Sequence, residues 1–115
     1  MELIVERLGD VAVVVLPVTE LDASNSADFK RDVTPLLDTN MKLVLDLSRL
    51  LFADSSGLGA FISCLRRVNS RGSDLKLCGM SEPIRALFEL VGMHRVFDIY
   101  PTREEAARAF LPNPA

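Results

Sequence analysis

The sequence predicts a single α/β domain: one mixed, mostly parallel β-sheet of four or five strands, packed with about four helices. Three observations carry this expectation. Apolar, β-branched runs alternate with helical periods along the chain, the pattern of parallel strands joined by right-handed crossovers. A Gly9-Asp10 pair separates the first two runs and marks a hairpin, so one edge of the sheet is expected to be antiparallel. The chain has 115 residues, 49% of them hydrophobic, which suits one buried core spanning 1–115.

Each element follows from local chemistry. Leu3 to Leu8 reads as a short strand. Val11 to Leu16 is continuous and apolar, the mark of a strand buried on both faces. Pro17 stops it. Glu20 to Ser26 is rich in helix-capping residues. The helix that follows carries Phe29, Val33, Leu36 and Leu37 on one face. Pro35 falls inside that pattern, and a proline in a helix interior costs about 3 kcal/mol, so a kink or an early end is expected there. Lys42 to Leu47 is a second buried strand. Gly57 to Arg71 is helical, with Leu58, Phe61, Ile62, Leu65 and Val68 on one face and Gly72 as its stop. Leu75 to Cys78 is another strand. Ser81 is expected to cap a helix that buries Ile84, Leu87, Phe88 and Val91 and ends at Gly92. Val96 to Ile99 reads as a last strand. Thr102 and Glu105 form a capping box for a final helix reaching Phe110, and residues 111–115 are expected to fray.

Composition narrows the function. The formal net charge is −3, whereas a fold that grips nucleic acid through phosphates is normally basic, so no nucleic-acid partner is expected. No apolar run approaches the roughly 20 residues of a membrane span, and Met1 leads straight into Glu2-Leu3-Ile4-Val5-Glu6-Arg7 without a secretory signal pattern. A cytoplasmic protein with no membrane partner is the expectation. Cys64 and Cys78 lack metal-ligand spacing and read as reduced core thiols. No metal or other cofactor is implied.

The stretch from Ser48 to Gly59 is the unusual one. It links a buried strand to an amphipathic helix and places Asp54, Ser55 and Ser56 at the helix start, followed by Gly57 and Gly59. Each glycine costs about 1 kcal/mol relative to alanine in a helix, so the pair signals a close approach to the backbone. A helix N-terminus has unpaired N–H groups and a dipole that favours negative charge, so a phosphate on Ser55 is tolerable there. It would add about −1.5 to −2 charges beside Asp54. From this segment alone, Asp54 or Ser55 serves equally well as a plain N-cap.

The order of elements and this turn together resemble the STAS family, in particular its bacterial anti-sigma factor antagonists. Val44-Leu45-Asp46-Leu47 running into Phe52-Ala53-Asp54-Ser55-Ser56-Gly57-Leu58-Gly59 is similar to the family's strand and Asp-Ser-Ser/Thr-Gly-Leu-Gly turn. Glu20-Leu21-Asp22 is similar to the Gly-Glu-Leu-Asp that opens the first helix, with Thr19 where the family often has glycine. The resemblance spans nearly the whole chain. It implies that Ser55 is the phosphoacceptor, with Ser56 as second choice. Asp22, Asp54, Ser56, Gly57 and Leu58 would then border the partner surface. The implied partners are an anti-sigma factor that is also a serine kinase of histidine-kinase-like ATP-binding fold, and a serine phosphatase. Unphosphorylated, the protein would bind the anti-sigma factor and free a sigma factor; phosphorylated, it would let go.

Other candidates carry less. Asp22 is equally an N-cap, and both roles are compatible. Asp46 reads as a satisfied buried carboxylate. His94 is a loop histidine, and Arg66, Arg67 and Arg71 form a solvated helix face. An enzyme with a Ser55 nucleophile needs a base and an oxyanion hole, and neither a neighbouring base nor a Gly-x-Ser-x-Gly elbow is present. Catalysis is therefore not expected. A partner-switching module with a non-sigma output, such as secretion, a phosphatase or a second-messenger enzyme, is the alternative.

Overall fold

A computed structural model of the chain describes residues 1–111. The tail expected to fray lies, from residue 112, outside the described residues.

Strand β1 (Ile4–Leu8) and β2 (Val11–Val15) form the expected hairpin, with Ile4 opposite Val15 and Leu8 opposite Val11. Gly9 has φ 62°, the left-handed geometry that a two-residue hairpin turn needs and that glycine adopts without strain. β2 pairs in parallel with β4 (Lys42–Asp46), β4 with β6 (Asp74–Cys78), and β6 with β7 (Asp98–Tyr100). The sheet order is β1-β2-β4-β6-β7. Helices α1 (Ser26–Thr39), α2 (Ser55–Ser70) and α3 (Glu82–Val91) are the crossovers, and α4 (Arg103–Arg108) follows the last strand.

The two-residue period of the strands sorts the core. Ala12, Val14, Leu43, Leu45, Leu75 and Leu77 point to one face and pack beneath α1, α2 and α3. On that side Phe29, Phe61, Phe88 and Phe97 form a row with ring centroids 5.8 to 6.0 Å apart, tying the crossover helices together. Val11, Val13, Val44 and Cys78 point to the other face, which α4 covers through Ala106. That second face also carries charge. Lys76 is buried there, held by Asp98 at 3.1 Å and Asp74 at 3.3 Å, with its ammonium over the Phe110 ring. Asp46, likewise buried, is met by Arg103, which also reaches Glu6. Burial pushes the Asp46 carboxyl up, but the Ser48 hydrogen bonds and the Arg103 guanidinium outweigh it and hold it below the usual carboxylate range.

Several expectations need correction. Pro35 does not end α1, which runs on to Thr39. Pro35 is exposed, on the side of the helix where a missing backbone N–H donor is tolerated. Ser81 stands at the N-cap position of α3, but its hydroxyl donates to Leu50 O (2.7 Å) and makes no cap bond. Val91 is half exposed, because α3 ends there and its last turn overhangs the core. Residues 93–95 form a short 3₁₀ turn and the last strand starts at Asp98, later than Val96. The final helix ends at Arg108, short of Phe110; Thr102 accepts from Glu105 N as half of the expected capping box. Two short strands were not foreseen at all. β3 (Glu20–Leu21) and β5 (Phe52–Ala53) pair in parallel as a separate ribbon beside the main sheet.

Candidate switch site

The β3-β5 ribbon builds the site. Glu20 pairs with Phe52 and Leu21 with Ala53. Leu51 N and Phe52 N both donate to Thr19 O, at 2.8 and 3.1 Å, so Thr19 contributes its backbone and keeps its side chain exposed. Asp54 N then donates to Leu21 O at 3.3 Å. The ribbon thus carries the turn after β3 alongside the first turn of α2.

Asp54 is the N-cap of α2. Its Oδ1 accepts from Gly57 N at 3.0 Å, filling one of the orphan donors of the helix start. Its Oδ2 accepts from Ala23 N at 3.1 Å. One carboxylate therefore ties the Asp22-Ala23 turn to the helix that begins with Ser55. The capping role that the sequence left open between Asp54 and Ser55 belongs to Asp54. Ser55, the first helical residue, is exposed, and its hydroxyl has no hydrogen-bond partner among the described residues. Ser56 is half-buried beside it.

Asp22 is not the N-cap of α1; Asn25 holds that position. Asp22 organises the turn instead. Its Oδ1 accepts from Ser24 Oγ (2.5 Å) and Ser24 N (2.9 Å), and the Ser24 hydroxyl above all holds its carboxyl below the usual range. Asn25 closes the loop by donating to Glu20 O and accepting from Asp22 N. Glu20, Asp22 and Asp54 make this tip acidic.

Gly57 is buried, so it underlies the partner surface the resemblance implied and is not part of its exposed face. A Cβ there would meet Leu21 O at 2.1 Å and Ala53 Cβ at 3.3 Å. The close approach that the sequence signalled is internal, between α2 and the ribbon. Gly59 has nothing within 4 Å of where a Cβ would sit and lies on the exposed side of α2 with Ser55. Leu58 is half-buried against the core.

Sequence reasoning missed two features. Leu51 and Phe52 stand beside this tip with 54% and 52% of their surfaces exposed, an apolar pair flanking the acidic residues. Their exposed order before Asp54 was visible as a short apolar run, but nothing local says which side of a two-residue strand faces water. Arg103 supports Asp46 at the end of β4, and no periodicity links positions so far apart. His94 lies exposed in the turn after α3, away from these elements. Among the described residues no cluster of acidic, histidine or cysteine side chains forms a metal site, and no helix is long and apolar enough to cross a membrane.

Comparison with known proteins agrees with this architecture. The anti-sigma-B factor antagonist of Bacillus subtilis is 30% identical over 80 residues, covering 70% of this chain and 73% of that protein. A candidate anti-sigma factor antagonist from Thermotoga maritima superimposes with a TM-score of 0.84 at 28% identity, covering 93% of this chain and 92% of that one. The Bacillus protein SpoIIAA in its phosphorylated form shares the fold, with a TM-score of 0.69 at 21% identity over 96% of this chain and all of that one. The STAS domain model matches residues 2–106, from the hairpin into α4, and the chain belongs to the STAS domain family.

Proposed function

We propose that this chain is an anti-sigma factor antagonist whose docking surface is switched by phosphorylation of Ser55. The observation that carries this reading is the division of labour at the start of α2. Asp54 takes the capping work, which leaves the Ser55 hydroxyl exposed and uncommitted on a rigid helix end. The reading is of a protein that acts by binding, since a serine nucleophile needs a general base within reach and the chain's one histidine, His94, lies on the turn after α3. Unphosphorylated, the tip offers the apolar pair Leu51 and Phe52, the acidic residues Asp22 and Asp54, and a neutral hydroxyl to an anti-sigma factor. A phosphate changes that hydroxyl into a group of about −1.5 to −2 charges, larger than the surface it met and repelled by any acidic neighbour across the interface. The helix dipole and the free N–H groups of Ser55 and Ser56 let the fold carry that charge. The similarity to phosphorylated SpoIIAA supports this, because that protein carries phosphate on the same fold.

The test is incubation with ATP and each candidate anti-sigma kinase of the host, with the phosphate located by intact and peptide mass spectrometry. A single phosphate on Ser55, absent from Ser55→Ala, and loss of kinase binding on phosphorylation are the expected results. Phosphate on Ser56 alone moves the switch by one residue. Binding without phosphorylation by any kinase overturns the switch and leaves a docking module. A partner phosphatase is expected to restore binding. The identity of the partner captured separates a sigma-factor output from a non-sigma one.

A further inference from the structure

Strand β7 is an edge of the main sheet, and that edge opens on a cleft. Tyr100 O accepts from Gly79 N at 3.2 Å, so Tyr100 turns its backbone toward β6. Backbone direction alternates along a strand, so Ile99 turns its N–H and C=O the other way. Among the described residues no strand pairs with it on that side. Residues 97–101 form one wall of the cleft, whose volume is about 530 Å³, and α3 forms the other through Arg85 and Glu89. Met80, Phe97 and Ile99 give it an apolar floor. An unpaired strand edge beside a cleft takes an extended peptide as an added strand, with backbone hydrogen bonds supplying affinity and side-chain contacts supplying specificity.

The charges say what that strand carries. Helix α3 is the crossover between the parallel strands β6 and β7, so it runs antiparallel to both. Arg85 therefore lies toward Tyr100 and Pro101, and Glu89, one turn later, lies toward Phe97. Four residues of helix advance about 6 Å, and two residues of extended chain advance about 6.6 Å. Side chains at i and i+2 of an added strand both face α3, at the spacing of this pair. Neither Arg85 nor Glu89 makes an ion pair among the described residues. Asp98 is already neutralised by Lys76 at 3.1 Å. A basic side chain at i+2 also lays its aliphatic stem over the apolar floor. The β7 strand of a second copy fits poorly, because it offers only Phe97 and Ile99 on this side, and both are packed in their own core.

We infer that the β7 edge and the flank of α3 together bind an extended peptide of a partner protein, which pairs with Ile99 as an added strand and sets an acidic side chain against Arg85 and a basic one, two residues away, against Glu89. The cleft shares no residue with the Ser55 tip, so this docking stands or fails independently of the switch.

The test is an NMR titration of the full-length, ¹⁵N-labelled protein with two end-blocked octapeptides, Thr-Thr-Glu-Val-Lys-Val-Thr-Thr and its charge-swapped partner with Lys and Glu exchanged. One order suits each strand direction, so one of the two is expected to bind with Kd below about 1 mM and to shift the Ile99 amide and its neighbours in the cleft. The other order is expected to be weaker by about fivefold or more. Arg85 and Glu89 are exposed, so the double change Arg85→Glu with Glu89→Arg should leave circular dichroism unchanged, and it should invert the preference. N-methylation of the three central residues of the better peptide removes its donors and should abolish binding. No shift in the cleft with either peptide at about 2 mM overturns the proposal, being beyond any useful affinity. So does binding that survives N-methylation, or a charge preference that the double change leaves as it was. A shift of the Ile99 amide with protein concentration alone gives the edge to a second copy and equally overturns it.

Discussion

Gly57 and the carbonyl of Leu21 approach so closely that a Cβ on Gly57 would lie 2.1 Å from Leu21 O. The oxygen belongs to backbone that is held in the β3-β5 ribbon and accepts from Asp54 N, so it has little freedom to yield. Gly57→Ala is expected to destabilise the fold by about 2 kcal/mol, and Gly57→Val by more, read from the midpoint of urea unfolding. Gly59→Ala supplies the contrast. Nothing opposes its Cβ, so it should stabilise α2 by up to about 1 kcal/mol. Equal stabilities for Gly57→Ala and the parent would show that the ribbon can move away.

Asp54 holds two elements with one carboxylate, and its removal is expected to be felt in both. Asp54→Ala should cost about 1 kcal/mol through the lost cap, and it should speed hydrogen exchange at Ala23 and Gly57. Asp54→Asn keeps a capping oxygen but offers only one acceptor, so it should protect Gly57 and release Ala23. Unchanged exchange at Ala23 in both variants would remove the link between the turn and the helix.

The buried Asp46–Arg103 pair makes an acid-side prediction. The folded carboxyl lies below its ordinary value of 3.8, so the ionised form stabilises the fold above that pH. The contribution is lost as pH falls through the depressed folded value. Arg103→Met leaves Asp46 buried without its cation and should cost about 3 kcal/mol at neutral pH. It should also move acid unfolding to higher pH, because the carboxyl no longer resists protonation. An acid-unfolding profile identical to the parent's would show that Ser48 alone sustains the charge.

The thiols of Cys64 and Cys78 are both pushed up to about 12, chiefly by burial. Neither carries appreciable thiolate at pH 8. A thiol-specific chromogenic disulfide should leave both unreacted in the native protein and label both in denaturant. Rapid native labelling of Cys64 would reveal opening between α1 and α2, the elements that cover it.

Much of this protein was legible without coordinates, and the reason is periodicity. Strand and helix positions followed from side-chain spacing, because a run such as Val11 to Leu16 or the face Phe29, Val33, Leu37 has few ways to bury itself. Gly9, Gly72 and Gly92 adopt positive φ where the turn and the two helix ends were expected. The Asp54-Ser55-Ser56-Gly57 turn announced its helix start through capping chemistry and glycine.

What only the tertiary structure decided has no local period. Strands β3 and β5 are two residues each and form only because the sheet brings residues 20–21 and 52–53 together. Their pairing converts Gly57 from an open surface glycine into a close contact. It also lets Asp54 reach Ala23 with one carboxylate oxygen while the other caps α2 at Gly57 N and leaves Ser55 free. Pro35 is harmless because packing turned its side of α1 to solvent, and Leu90 is exposed because the core ends beneath the last turn of α3. Local spacing specifies which residues seek burial; only closure of the whole chain determines which backbone atoms meet and which apolar side chains are left without a neighbour.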